Sequence, residues 1–258
     1  MTYDLKGKVC VVTGGSRGVG KATARMFSEN GAKTVIVARN EVALLEVADE
    51  IKKTGGRCDY FPADLTDKDQ VKRLFEQVVK MHGRLDVLVN NAAVASYTSS
   101  IDDTTLEEWN YVIAVDLTAV FLCCKEAFKI MKKQDEGKII NISSTSGSIA
   151  SSPGEISYRS AKHGLMGLTK VLLKESQSTG ISVTAIVPSH IKTEQYRKGF
   201  DMSGKTWTLQ MEKDWENSLE AEDVAEVILF VATRDKKVII PKVAVYPRKD
   251  IHRYGMDV

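Results

Sequence analysis

The run Val9-Cys10-Val11-Val12-Thr13-Gly14-Gly15-Ser16-Arg17-Gly18-Val19-Gly20 decides the fold. Its first half is β-branched and apolar on both alternating faces, the pattern of a strand covered by helices above and below a parallel sheet. Its second half spaces Gly14, Gly18 and Gly20 as G-x-x-x-G-x-G, and a helical period sets in near Val19 or Lys21. A strand that feeds a helix through such a turn offers backbone N–H groups and the positive end of the helix dipole to an anion such as a pyrophosphate. A glycine-rich turn also serves as a plain tight connection, but its place directly after the first strand favours the dinucleotide reading.

Outward from this run the same alternation continues. Strands are expected at Val9–Thr13, Thr34–Ala38, Cys58–Phe61, Leu85–Asn90, Lys138–Ile142, Ile181–Val187 and Val238–Val245. Between them lie helices ending at Glu29 and Lys53, then helices over Asp67–Met81, Leu106–Lys133, Ser157–Ser176 and Glu222–Thr233. The pattern predicts a single-domain, doubly wound, Rossmann-like α/β fold over residues 1–258, a parallel seven-stranded sheet with helices on both faces. Only Pro188 to Ala221 breaks the rhythm, and a stretch that long between strand and helix predicts a substrate lid at about 189–220.

A net charge of +2, with 27% charged residues spread along the chain, argues against nucleic acid or a membrane surface and for a small-molecule partner. The four cysteines lack metal-ligand spacing, so no metal is expected. The apolar stretch Val112–Cys124 is interrupted by Asp116 and is too short to cross a bilayer, which takes about 20 residues. Met1 to Lys8 lacks the regions of a signal peptide, so a cytoplasmic setting is expected.

The end of the second strand selects the dinucleotide. Ala38 and Arg39 stand where an acid would hold ribose hydroxyls, and Arg17 and Arg39 together suit a 2′-phosphate, which predicts NADP(H) in preference to NAD(H). The alternative leaves Arg39 as a solvated loop charge with Glu41 on the ribose. Of eight tyrosines only Tyr158 has a lysine, Lys162, four residues later, so the two share a helix face. An ammonium there, with an oxidised nicotinamide, is expected to lower the phenol from its ordinary value near 10 and make it an acid/base. Such a pair also occurs on helix surfaces, and the context that favours chemistry is Ile140-Asn141-Ile142-Ser143-Ser144, a strand delivering Ser144 to the ligand-binding edge of the sheet.

Thr13-Gly14-x-x-x-Gly18-x-Gly20, Asn90-Asn91-Ala92-Ala93, Ser144, Tyr158-x-x-x-Lys162 and Pro188 through Thr193, in this order, make the chain resemble the short-chain dehydrogenase/reductase family. The resemblance is to its single-domain branch of about 250 residues. It implies an NADP-dependent oxidoreductase in which Tyr158 protonates a carbonyl oxygen or takes a hydroxyl proton, Ser144 holds that oxygen, and Lys162 binds the nicotinamide ribose. It implies a cofactor cradle of Gly14, Ser16, Arg17, Gly18, Val19 and Gly20, with Arg39 and Asn40 at the adenosine end. Asp64 and Leu65 would flank the adenine, Asn91 and Ala92 would line the ribose, and Ile191 and Thr193 would reach the carboxamide. His190 and Tyr196 are candidate substrate contacts.

Three positions depart from the pattern: mildly Ala93 and Ser189, where the family often has glycine, and more sharply Asp116. The family's fourth catalytic residue is usually an asparagine that bends its helix and holds a water linked to the lysine, whereas Val115-Asp116-Leu117 carries an acid. Asp116 can accept from such a water but cannot donate when ionised, so altered catalysis and a tolerated replacement both stay open. The ending Val243-Ala244-Val245-Tyr246-Pro247 resembles members that reduce small aldehydes and keto compounds more than fatty-acid-synthesis reductases. Helices through Tyr111–Cys124 and Ala161–Leu173 are apolar around most of their circumference, and the resemblance implies that they pair across a homodimer or homotetramer. The alternative function is a catalytically impaired NADP(H)-binding sensor or scaffold of the same fold.

Overall fold

A computed structural model describes residues 3–96, 100–148, 154–194 and 208–250. In β1 (Val9–Thr13), Val9 and Val11 join the core on one face of the sheet while Cys10 and Val12 join the core on the other. Each fully buried side chain of this kind favours the layered arrangement by roughly 1.5–3 kcal/mol before the cost of ordering the chain. The first half continues as α1 (Gly18–Glu29), β2 (Lys33–Ala38), α2 (Glu41–Lys53), β3 (Arg57–Pro62), α3 (Lys68–His82) and β4 (Val87–Asn90). The second half runs through α4 (Leu106–Ile113), a π-helical turn (Ala114–Thr118), α5 (Ala119–Gln134), β5 (Gly137–Ile142) and a 3-10 turn (Thr145–Gly147). It ends with α6 (Ile156–Glu175), β6 (Ile181–Pro188), α7 (Leu209–Glu216), α8 (Ala221–Ala232) and β7 (Lys242–Val245).

All neighbours in the seven-stranded sheet are parallel, in the order β3-β2-β1-β4-β5-β6-β7. The direction of winding therefore reverses between β1 and β4, which opens a crevice beyond their carboxyl ends. On one face the core joins Val35, Leu88, Ile139 and Val183 to Leu74 of α3, Cys123 of α5 and Leu165 of α6. On the other, Val89, Ile140 and Ile186 meet Phe27 of α1 and Ile228 of α8.

The structure adds detail to the expected elements at three places. The last strand starts at Lys242 and not at Val238: Pro241, which has no N–H to donate, precedes it, and Ile240 is only partly buried against the core. The stretch read as a lid contains α7, capped by Thr208, whose side chain accepts from the Met211 N–H. None of its residues is buried, so no apolar stripe marks it. The predicted helix Leu106–Lys133 is interrupted by the π turn, and a single wide turn of this kind is often found at functional sites.

Candidate active site

The turn between β1 and α1 is shaped by close approach. Gly14 has φ of +64°, and a Cβ there would come within 2.8 Å of the Asn91 amide. Gly20 is tighter still, since its Cβ would meet the Gly14 carbonyl oxygen at 2.2 Å. Gly20 thus seats α1 against the turn and, unlike Gly14 and Gly18, does not line the cleft. Arg17 precedes α1 with no side-chain hydrogen bond capping the helix, which leaves the first N–H groups to an anion. Thr13 ties this turn to the end of β4: its Oγ1 accepts from the Asn91 and Ala92 N–H groups at 2.9 and 3.1 Å. The Asn91 amide donates back to the Thr13 carbonyl at 3.0 Å.

A cleft of about 690 Å³ runs from this turn across the sheet edge. Gly14, Ser16, Arg17, Gly18 and Val19 line one part, and Arg39 and Asn40 lie at the end of β2. The Asn40 side chain accepts from the Ala43 N–H and so also caps α2. Asp64 and Leu65 follow β3, Asn91 and Ala92 follow β4, and Ile191 and Thr193 follow β6. Arg17 also approaches Glu194 at 4.0 Å, with both side chains more than half exposed, so this contact is weak. Glycines that a Cβ would fill, an open helix end and two guanidinium groups along one cleft fit an elongated dinucleotide with an extra phosphate.

Ser144, Tyr158 and Lys162 line the same cleft. Ser144 leaves β5 and caps the 3-10 turn, accepting from the Ser146 N–H at 3.1 Å. That turn packs directly on α6, because a Cβ on Gly147 would lie 2.7 Å from the Lys162 carbonyl oxygen. The packing brings the Ser144 hydroxyl close enough to the Tyr158 phenol to favour its phenolate. Lys162 Nζ stands 5.3 Å from the centre of the Tyr158 ring and donates to the Ile142 carbonyl at 3.3 Å.

Asp116 does not line the cleft; it lies behind Lys162. It is fully buried in the π turn, with Oδ2 3.2 Å from Lys162 Nζ and Oδ1 accepting from the Val94 N–H at 2.8 Å. Burial pulls the Lys162 ammonium down, but Asp116 and the Tyr158 phenol outweigh it and hold the group above its ordinary value. Burial pushes the Asp116 carboxyl up against the opposing pull of Lys162 and the Val94 N–H. The lowering of Tyr158 is expected of Lys162 together with an oxidised nicotinamide, and without that cofactor the balance is different. Burial raises the phenol, Lys162 lowers it, and the Asp116 charge raises it again, so the protein's own groups leave it above its ordinary value.

His190 is absent from the cleft lining, which passes through Ser189 and Ile191. Its Nδ1 lies 2.9 Å from Oδ2 of the buried Asp250, which also accepts from the Ser189 hydroxyl at 2.7 Å. Tyr196 lies outside the described residues. Sequence reasoning missed the Val94 N–H, because a backbone donor leaves no trace in residue type, and the Gly147 contact, because one glycine in a serine-rich stretch reads as an ordinary loop residue.

The family model described as short chain dehydrogenase matches residues 8–203. The chain belongs to the short-chain dehydrogenase family. It is 34% identical over 239 residues to the 3-oxoacyl-acyl-carrier-protein reductase of Thermotoga maritima, covering 93% of this chain and 96% of that protein. Its fold matches a metagenomic short-chain oxidoreductase solved in complex with NADP at a TM-score of 0.79, with 32% identity and 94% and 98% of the two chains covered. A variant of actinorhodin polyketide ketoreductase solved with NADPH gives a TM-score of 0.86 at 27% identity, covering 93% and 96%. The likeness to an acyl-carrier-protein reductase runs against the branch suggested by the C-terminal residues. The match to the family model ends at residue 203, before β7. Among the described residues no helix is long and apolar enough to cross a membrane.

Proposed function

We propose that this short-chain dehydrogenase uses NADP(H) to reduce a ketone or aldehyde to an alcohol, or to run the reverse reaction. The observation that carries the reading is the convergence of Ser144, Tyr158 and Lys162 on one cleft with the Gly14–Gly18 turn, Arg17 and Arg39. Arg17 and Arg39 would hold the 2′-phosphate, and Lys162, with Asn91 and Ala92, would hold the nicotinamide ribose. Ile191 and Thr193 would orient the carboxamide, with Asp64 and Leu65 beside the adenine. When bound, the dinucleotide supplies or accepts the hydride.

Ser144 donates its hydroxyl to the substrate oxygen and Tyr158 gives that oxygen a proton as the carbon is reduced. A phenol that stays protonated near neutral pH suits this direction, and the raised Tyr158 is such a group. The names of the relatives make 3-oxoacyl thioesters the first substrates to try, beside simple aldehydes and ketones. Following nicotinamide absorbance over such a panel tests the reading. Tyr158→Phe is expected to keep NADPH binding and to lose turnover by about 10²–10⁴-fold. Turnover close to that of the parent protein, or equal efficiency with NADH and NADPH, would reject the corresponding part.

We also propose a homo-oligomer built on the outer faces of α4, α5 and α6. Leu106, Phe121 and Val171 on these helices are 73%, 46% and 56% exposed, a run of large apolar side chains that a partner copy would cover. A monomer in sedimentation at micromolar concentration would rule this out.

A further inference from the structure

A carboxylate in place of the family's asparagine changes the charge that the reacting phenol meets. Among the described residues Lys162 is the cation that acts most strongly on Tyr158, and its side chain is 3% exposed. Asp116 Oδ2 reaches it at 3.2 Å from the π turn, and the Val94 N–H fixes the other carboxylate oxygen. Two opposite unit charges this close act on a third group mainly as a dipole, so each cancels most of the other's pull.

Among the described residues no further cation faces Tyr158 to restore a strongly positive field. From the end of β5 comes the Ser144 hydroxyl, which is uncharged and favours the phenolate less than Lys162 does. From the start of α6 comes Glu155, whose charge disfavours the phenolate. Glu155 is itself paired with Arg159 at 3.0 Å, so these two also largely cancel.

We infer that Asp116 is a positioning residue that neutralises Lys162 at the Tyr158 oxygen, so that this site delivers a proton to a carbonyl up to a higher pH than an asparagine-bearing site would. The inference rests on the proposed role of Tyr158 as the proton donor. In reduction the Tyr158 O–H bond would break and a new O–H bond form on the substrate, as the C=O π bond gives way to a C–H bond made with hydride that a bound reduced dinucleotide would supply. The phenolate left behind regains its proton from solvent. In oxidation the phenolate must exist first, and it takes the hydroxyl proton as hydride leaves to the oxidised nicotinamide. Asp116 therefore shifts the rise of oxidation with pH toward alkali without touching substrate.

The test compares the parent protein with Asp116→Asn. Two readouts are followed against pH: kcat/KM for alcohol oxidation, and the tyrosinate absorbance of the cofactor-free protein, corrected by subtracting the Tyr158→Phe titration. The asparagine variant is expected to move both midpoints to lower pH by about one unit or more, the size of shift a single nearby charge produces. Asp116→Glu, which keeps the charge, is expected to stay closer to the parent. Coincident midpoints for the parent and the Asp116→Asn variant would overturn the inference. If Asp116→Asn does not fold, Asp116→Ser supplies the same comparison, since its small polar side chain removes the charge and leaves room for water. Persistent turnover in Tyr158→Phe would instead remove the proposed proton donor, so failure of the inference and failure of the functional reading give different results.

Discussion

Asp86 at the amino edge of the sheet and Asp116 beyond its carboxyl edge are both buried carboxylates holding cations, yet they are compensated differently. Asp86 accepts from the Val9 N–H at 2.8 Å and from Arg84 Nε at 2.9 Å, and Lys8 stands 3.2 Å away. Lys8 and Arg84 are each more than a third exposed and both also reach Glu136. Asp116 has one ammonium and one N–H, and both lie inside the protein. The first cluster shares its charge with water and ties chain segments together. The second is sealed from water, and Tyr158 feels both of its opposed charges. A buried ion pair is thus a structural clamp or a chemical setting according to whether solvent reaches its cations.

This contrast is sharpest at Lys162. Lys162→Met strands the Asp116 carboxylate, and we expect a loss of about 3–5 kcal/mol in unfolding free energy, less whatever protonation of Asp116 relieves. Adding Asp116→Asn is expected to return part of that stability in denaturant unfolding while turnover stays absent. A double variant no more stable than the single one would break the comparison. At the other edge, Asp86→Ala is expected to cost about 1–3 kcal/mol, because Val9 loses its acceptor while Arg84 and Lys8 can turn to water. Its kcat/KM should match the parent; a change in the pH profile would show that the two edges are coupled.

The smallest effect belongs to Glu136. The Lys8 hydrogen bond, more than any other cause, holds its carboxyl below the usual range. A group depressed in this way adds stability above its ordinary carboxylate range and loses that contribution as the pH falls through its lowered value. Glu136 is 42% exposed, so Glu136→Gln is expected to cost less than about 1 kcal/mol near neutrality and to lose that difference in acid and in high salt. A difference that persists in acid would point to a lost contact other than the charge.

The sheet was legible because its strands are apolar on both faces and its helices carry stripes, two periodicities that need no distant information. The phosphate turn and the Tyr158–Lys162 spacing were legible because they are local. What escaped was set by groups far apart in the chain: the Asp116–Lys162 contact, the burial that raises Tyr158, and the attachment of His190 to Asp250. A titrating group responds to the sum of its neighbours, and the sequence displays only those within a turn of helix. The helix α7 escaped for a different reason, since it spans only eight residues and none of them is fully buried.

Ile191 pairs with Leu219 in a parallel bridge, Lys192 N–H donates to the Leu219 carbonyl at 2.8 Å, and Leu219 N–H donates to the His190 carbonyl at 3.0 Å. The chain thus leaves and re-enters the frame at a single rung beside the cleft. Because the ends of the excursion are already joined, lengthening or rewriting what lies between them adds only a slowly growing entropy term. Sequence change between these two ends can therefore accumulate while the register of the strands stays as it is.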